Sequence, residues 1–194
     1  MLSKIILASK SKIRKKILDN NKIPNEVRSS NVDEEVVKES LIIEKATPEI
    51  ISKNLAELKA NKISLMESDR FVLGADSIID LGGELISKPI DREEAFLILK
   101  KLNGKKHYLI SSVCISKNGS MIWNHTDKAI LTMKKFSDND LKIYLSKISD
   151  EALYSYNVYQ IEGEGRNLFS KIEGNENTIM GLPVEKIKEY LNKI

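Results

Sequence analysis

Phe71-Val72-Leu73-Gly74-Ala75-Asp76-Ser77-Ile78-Ile79 is the stretch on which the reading of this chain turns. It is a bulky apolar run bounded by Asp69-Arg70 and Asp80-Leu81-Gly82-Gly83, and it reads as a strand buried on at least one face. A carboxylate lies near its centre. Taking an unpartnered carboxylate out of water costs several kcal/mol or more. Asp76 therefore finds donors, binds a cation, or sits where a buried strand opens into a cleft. Gly74 and Ala75 have almost no side chain and leave room for something to approach the backbone beside the acid. A strand-end Asp that caps a loop is the plainer alternative, and this window alone fits both.

Upstream, Lys4 to Ala8 reads as a first strand, Ser11 to Leu18 as a short helix with Ile13, Ile17 and Leu18 inward, and Glu26 to Ser30 as a second strand. Thr47-Pro48-Glu49 starts a helix with a capping hydroxyl and Pro at the first helical position. Ile51, Leu55 and Leu58 follow at helical spacing toward Ser64. Downstream, Asp80-Leu81-Gly82-Gly83 turns into a shorter strand near Leu85-Ile86. Asp91-Arg92-Glu93-Glu94 has capping-box spacing and opens a helix with Ala95, Phe96, Leu99 and Leu102 inward, ending near Gly104. Tyr108 to Ser116 and Met121 to Met133 flank Lys117-Asn118-Gly119-Ser120, and Asn-Gly between two β-like runs signals a hairpin. Ser137 starts a helix with Leu141, Tyr144, Leu145 and Ile148 inward, and a last helix follows Pro183 with Ile187, Tyr190 and Leu191. Mixing βα units with one long hairpin implies an α/β fold with a mixed sheet flanked by helices.

The 194 residues fit one large domain or two small lobes sharing a core. With 31 basic and 28 acidic residues interleaved, the net charge of +3 gives no basic stripe, which argues against nucleic acid or a membrane surface as partner. Cys114 is the only cysteine, so an intramolecular disulfide and a cysteine metal cage are both excluded, and its apolar setting makes it a core residue. The short apolar start runs into Ser9-Lys10-Ser11-Lys12 without a long hydrophobic region, and no run approaches the ~20 residues of a membrane span. The cytoplasm is the expected compartment.

Chemistry has few places to sit. The junction Leu7-Ala8-Ser9-Lys10-Ser11-Lys12-Ile13-Arg14 offers hydroxyls, helix N-terminal N–H groups and two cations, a plausible anion cradle. It reads equally as a Ser N-cap with a basic first turn, although cations there oppose the helix dipole. Val32-Asp33-Glu34-Glu35 is an acid cluster in a loop, commonly just solvated. Pro89 holds Lys88 extended, close to the Asp76 strand through the short connection. Glu162-Gly163-Glu164-Gly165, Gly174 and Gly181-Leu182-Pro183 read as turns. There is no Walker A loop, dinucleotide fingerprint, His-Glu-x-x-His or Gly-x-Ser-x-Gly, and His107 and His125 are too few for a His-rich metal site. Carboxylates, lysines and hydroxyls remain, the kit for divalent-metal-assisted chemistry on phosphates.

Taken together, these segments resemble the Maf family of septum-formation-inhibitor-like nucleoside triphosphate pyrophosphatases. The resemblance is collinear over nearly the whole chain: Leu7-Ala8-Ser9-Lys10-Ser11-x-x-Arg14, Val32-Asp33-Glu34, Leu55-Ala56-Glu57-Leu58-Lys59-Ala60, Gly74-Ala75-Asp76-Ser77, Lys88-Pro89, Leu102-Asn103-Gly104-x-x-His107, Tyr159-x-Ile161-Glu162-Gly163 and Gly181-Leu182-Pro183. The chain departs from the branch resembling dTTP/UTP pyrophosphatases at Ile13, at Tyr154-Ser155-Tyr156-Asn157 and at Glu162. It is similar instead to a branch with Glu-Gly after the late Tyr.

The resemblance implies one Maf-like domain over 1–194, with two lobes of a mixed, twisted central sheet around a cleft, similar to inosine triphosphatases. It implies a hydrolase of acid anhydrides that converts (d)NTPs, non-standard or modified ones among the candidates, to NMP and pyrophosphate with Mg²⁺ or Mn²⁺. Asp76 would be the general base or a metal ligand, and Glu34 would hold the metal. Ser9, Ser11, Lys12, Arg14, Lys59, Ser77, Lys88 and Glu162 would bind the substrate and its phosphates. A homodimer is expected on the same ground. The alternative from another class is a nucleotide-binding regulator of cell division that keeps the pocket without turnover.

Overall fold

Ile5, Ile6 and Leu7 are all buried, as expected of a strand with neighbours on both sides and cover on both faces. They form β1 (Ile5–Leu7), which pairs in parallel with β2 (Asn25–Val27) and with β3 (Val72–Leu81). Parallel neighbours need crossovers. Helix α1 (Lys12–Asn20) links β1 to β2, and α2 (Glu34–Ile43) and α3 (Pro48–Ser64) lie between β2 and β3. The chain then turns back through Gly82 and Gly83, both at positive φ, so that β4 (Glu84–Ile86) pairs antiparallel with the end of β3. After α4 (Arg92–Leu102), β5 (Lys106–Lys117) and β6 (Ser120–Met133) form the long hairpin around Asn118 and Gly119. Next come α5 (Asp138–Lys147), α6 (Asp150–Tyr156), a 3-10 turn over Glu164–Leu168, β7 (Phe169–Glu173) antiparallel to β6, α7 (Glu176–Ile179) and α8 (Val184–Leu191). Among the described residues the strand order is β2-β1-β3-β5-β6-β7, with β4 on β3. The architecture is the expected mixed α/β. This computed structural model describes residues 4–194, apart from the side chains of residues 154–156, where one of the departures noted above falls. No helix among the described residues is long and apolar enough to cross a membrane.

Two compact units emerge. The first holds the chain up to Ile78, Ile110–Lys128 and Asn175–Ile194, and the second holds Ile79–Leu109 and Ala129–Gly174. In the first unit Leu7, Leu18, Leu73, Val113, Leu182 and Ile187 share one core, gathering β1, α1, β3, β5 and α8. In the second, α4 packs against α5. Arg92 donates to the carbonyls of Leu145 and Ile148 at 2.7 and 2.8 Å, satisfying groups that the end of α5 leaves open. His107, on β5 within this unit, is fully buried, with Nε2 2.9 Å from the Tyr159 hydroxyl and its ring against Phe169. Burial pushes its imidazole down to about 4.

Helix α3 differs from the expectation in a way that matters. Its buried stripe runs Pro48, Ile51, Ser52, Leu55, Ala56, Lys59, Ala60, Ile63 and Ser64, and Leu58 faces solvent. The apolar letters alone favoured Leu58, yet the helix turns polar Ser52 and Lys59 inward because their partners lie inside. The approach that Gly74 permits is that of α3 itself. A Cβ added to Gly74 would lie 2.1 Å from the Ala56 carbonyl oxygen and 2.8 Å from the Ala60 nitrogen. Helix α2 is a second difference. Asp33 is its N-cap, accepting from the Val36 N–H at 3.3 Å, so the acid cluster is a helix start and no loop. No residue of α2 is fully buried: Glu34, Val37, Lys38 and Leu41 make a half-buried face, while Val36, Ile42 and Ile43 are exposed, so the apolar letters do not mark the inward side. The short β7, α6 and α7 also lacked a pattern long enough to read.

Two outcomes follow from this packing. Gly74→Ala should cost about 3 kcal/mol in chemical denaturation, because the intruding Cβ meets rigid helix backbone. Between pH 6.5 and about 4, the unfolded chain binds a proton that folded His107 refuses. Stability should therefore be full above about pH 6.5 and fall as pH drops toward 4, by on the order of 3 kcal/mol. Denaturation midpoints across that range should flatten in His107→Leu.

Candidate active site

Successive residues of a strand face opposite ways, so Asp76 and Ser77 serve different surroundings within the first unit. Asp76 is 5% exposed and faces α3. Lys59 is 4% exposed, and its Nζ lies 2.8 Å from Asp76 Oδ1 and 2.9 Å from Glu34 Oε2. The close seat of Ala56 and Ala60 on Gly74 is what brings the lysine stem this near. Ser52, on the same stripe of α3, donates to the Asp76 backbone carbonyl at 3.3 Å. Asp76 thus has one carboxylate oxygen held by an ammonium. The other, Oδ2, is buried and has no hydrogen-bond partner among the described residues. Burial works against the charge of Glu34, but the Lys59 ammonium, with Lys38 and Arg14 beyond it, holds its carboxyl below the usual range.

On the other side of β3 stands Arg14. Its side chain crosses from α1 to four acceptors: Nε donates to the Gly181 carbonyl at 3.0 Å, Nη1 to Ser9 Oγ at 3.3 Å and to the Ala75 carbonyl at 3.0 Å, and Nη2 to Ser77 Oγ at 3.1 Å. Burial pulls the guanidinium down from its usual range, and the charges of Asp76 and Glu34 push against that. Ser77 Oγ lies 2.9 Å from Ser111 Oγ, and Ser111 gives its own proton to the Thr178 carbonyl at 2.8 Å. The proton between the two serines is therefore that of Ser77. Thr178 in turn donates from Oγ1 to Asp127 at 2.6 Å.

The first unit brings together Ser9, Ser11, Arg14, Glu34, Lys59, Asp76 and Ser77. Ser11 is the N-cap of α1, accepting from the Arg14 N–H at 3.3 Å. Ser9 Oγ accepts from the Ser11 N–H at 3.2 Å as well as from Arg14, which leaves its O–H to donate. Lys12 is exposed in the first turn of α1. Lys88 and Glu162 belong to the second unit. Lys88 is exposed after β4, and Glu162 accepts from Gln160 Nε2 at 3.1 Å. Sequence reasoning passed over Ser52, Ser111 and Thr178. The signal for Ser111 was present as a Ser-Ser pair inside an apolar strand, and that for Ser52 was its helical spacing from Ala56 and Lys59.

A buried lysine flanked by two acids, one of them with an open oxygen, can receive a proton or share a cation on that oxygen. Among the described residues no group of three or more His, Cys, Asp or Glu side chains is placed to hold a metal, so Glu34 and Asp76 are the acids on offer here.

Comparison with known proteins gives the family of the chain. A family model described as Maf-like protein matches residues 4–194. A nucleoside triphosphate pyrophosphatase of Pelagibacter ubique is 70% identical over the full length of both chains. A 7-methyl-GTP pyrophosphatase of Brucella abortus is 39% identical over 95% of this chain and 92% of its own. Among solved structures, a HAM1 protein from Coxiella burnetii superposes with a TM-score of 0.51 over the whole of both chains at 10% identity, a likeness of fold. By the span of the family match and the identity to these relatives, this chain belongs to the Maf-like protein family.

Proposed function

We propose that this chain hydrolyses nucleoside triphosphates to the monophosphate and pyrophosphate. The observation that carries the reading is the buried Asp76, with Oδ1 held by Lys59 and Oδ2 without a hydrogen-bond partner among the described residues. Family membership and the printed names of the relatives support the same reaction class. Water attacks the α-phosphorus, and its proton passes to Asp76 Oδ2. The bond from the α-phosphorus to the bridging oxygen breaks, and pyrophosphate leaves with the electron pair. Lys59 keeps the Asp76 carboxylate oriented, and the Ser9 O–H and Lys12 face charge on the phosphates.

Electrostatics argue for a divalent cation as well. Glu34 and Asp76 are balanced by Lys59 and Arg14, so these groups have no positive charge left over for a triphosphate. Glu34 and Asp76 are hard oxygen donors that fit Mg²⁺ or Mn²⁺, ions that take their other ligands from water and phosphate. Such an ion, when bound, neutralises phosphate charge and activates water. The chain works as a homodimer on this reading, by its family membership.

Purified protein should release pyrophosphate from at least one member of a panel of dNTPs, NTPs and modified NTPs, 7-methyl-GTP included, only when Mg²⁺ or Mn²⁺ is added. Tight binding across the panel without release would replace this reading with a nucleotide-binding role. Asp76→Asn keeps the shape of the side chain and should fold, yet lose at least ~100-fold in turnover as expected for a positioned base. Near-normal turnover in that variant would remove Asp76 from the reaction.

A further inference from the structure

We infer that Arg14 is a positioning residue: it grips β3 on both sides of Asp76 and ties it to the Thr178–Gly181 turn, thereby aiming the Asp76 carboxylate. A helix-start arginine beside two serines invites the reading of a phosphate ligand. The geometry assigns it elsewhere. Four contacts use four of the five N–H groups of its planar fork, and two of their acceptors, the Ala75 carbonyl and Ser77 Oγ, belong to the residues immediately before and after Asp76. None of the four acceptors is charged, so the bonds are directional supports for a half-buried arginine. A phosphate that recruited it fully would break the network that holds the strand.

The neighbouring groups are committed in the same sense. Ser77 spends a lone pair on Arg14 and its proton on Ser111, and Ser111 spends its proton on the Thr178 carbonyl. The chain of donors therefore runs one way, from Arg14 through β3 and β5 to α7. Gly181 closes it. Its φ is +94°, and an added Cβ would lie 2.9 Å from Ser77 Oγ and 3.4 Å from both Nε and Nη2 of Arg14. Backbone is thus pressed directly onto the fork. On the far face Ser52 holds the Asp76 carbonyl, so the backbone around the acid is gripped from both sides of the strand. Lysine cannot reproduce a planar fork that reaches four acceptors, although it keeps the charge.

The assignment rests on the proposed pyrophosphatase activity, and Arg14→Lys tests it. A positioning role predicts that kcat falls about 30-fold or more, since misplacement by a fraction of an ångström is costly, with KM and the affinity for an α,β-methylene triphosphate within about threefold of wild type. Ser77→Ala should lower kcat in the wild-type background, and cost little further when added to Arg14→Lys, because both changes cut one network. A normal kcat with KM raised tenfold or more, or additive losses in the double variant, would overturn the assignment in favour of a phosphate ligand. Should Arg14→Lys fail to fold by circular dichroism, Ser77→Ala alone decides: a kcat loss at constant KM supports the clamp, and unchanged kcat overturns it. If wild-type protein releases no pyrophosphate, the activity reading has failed separately. Arg14 is then judged by NMR, where shifted Ala75, Asp76 and Ser77 backbone signals in Arg14→Lys support the clamp and unchanged ones overturn it.

Discussion

The contact between α3 and β3 is the constraint on which the first unit depends. A helix can approach a strand this closely only where neither carries a side chain in the way. Gly74 meets Ala56 and Ala60, and a single methyl group at Gly74 would overlap the helix carbonyl. That approach sets the depth at which the next inward-facing residue of the helix, Lys59, delivers its ammonium. Asp76, two residues along the strand from Gly74 and on the same face, is where it arrives. The pair is buried, and burying either charge alone would be costly. Packing and charge therefore enforce one another: the tight seat makes the ion pair possible, and the ion pair penalises any slippage of the seat.

The strand's alternation then divides labour between its faces. Asp76 looks toward the acid–lysine group of α2 and α3, and Ser77 looks toward Arg14, Ser111 and the Gly181 turn. One face carries an oxygen with capacity to spare. The other consists of donors and acceptors already matched to each other. A carboxylate in the proposed role needs both, because an unpartnered oxygen is useful only when the backbone beneath it is held in place. Membership in the Maf-like family, with relatives named nucleoside triphosphate pyrophosphatases, is what ties the chain to nucleotide chemistry.

The order of βα units, the Gly82-Gly83 and Asn118-Gly119 turns, the helix start at Thr47-Pro48 and the buried Asp76 strand were all legible in the chain, because each is governed by local chemistry or by a period short enough to see. Collinear motifs identified the family for the same reason. Leu58 was misread because apolarity was the only guide, whereas the inner face of α3 is decided by what it meets. Helix α2 was hidden for a related reason: none of its residues is fully buried and Val36, Ile42 and Ile43 are exposed, so its apolar letters blur the half-buried face of Val37 and Leu41.

By itself the sequence determined the elements, the residue types near the site and the presence of a carboxylate in a buried strand. It could not say which of Ser9, Ser11, Arg14 and Ser77 is spent and which is spare. That is a question of partners distant along the chain, such as Gly181 for Arg14 and Thr178 for Ser111. Only the tertiary structure decided it, since a hydrogen bond is exhausted by geometry rather than by composition. The acid in the opening strand was foreseeable; that one of its oxygens is held by Lys59 followed from how closely α3 sits on Gly74.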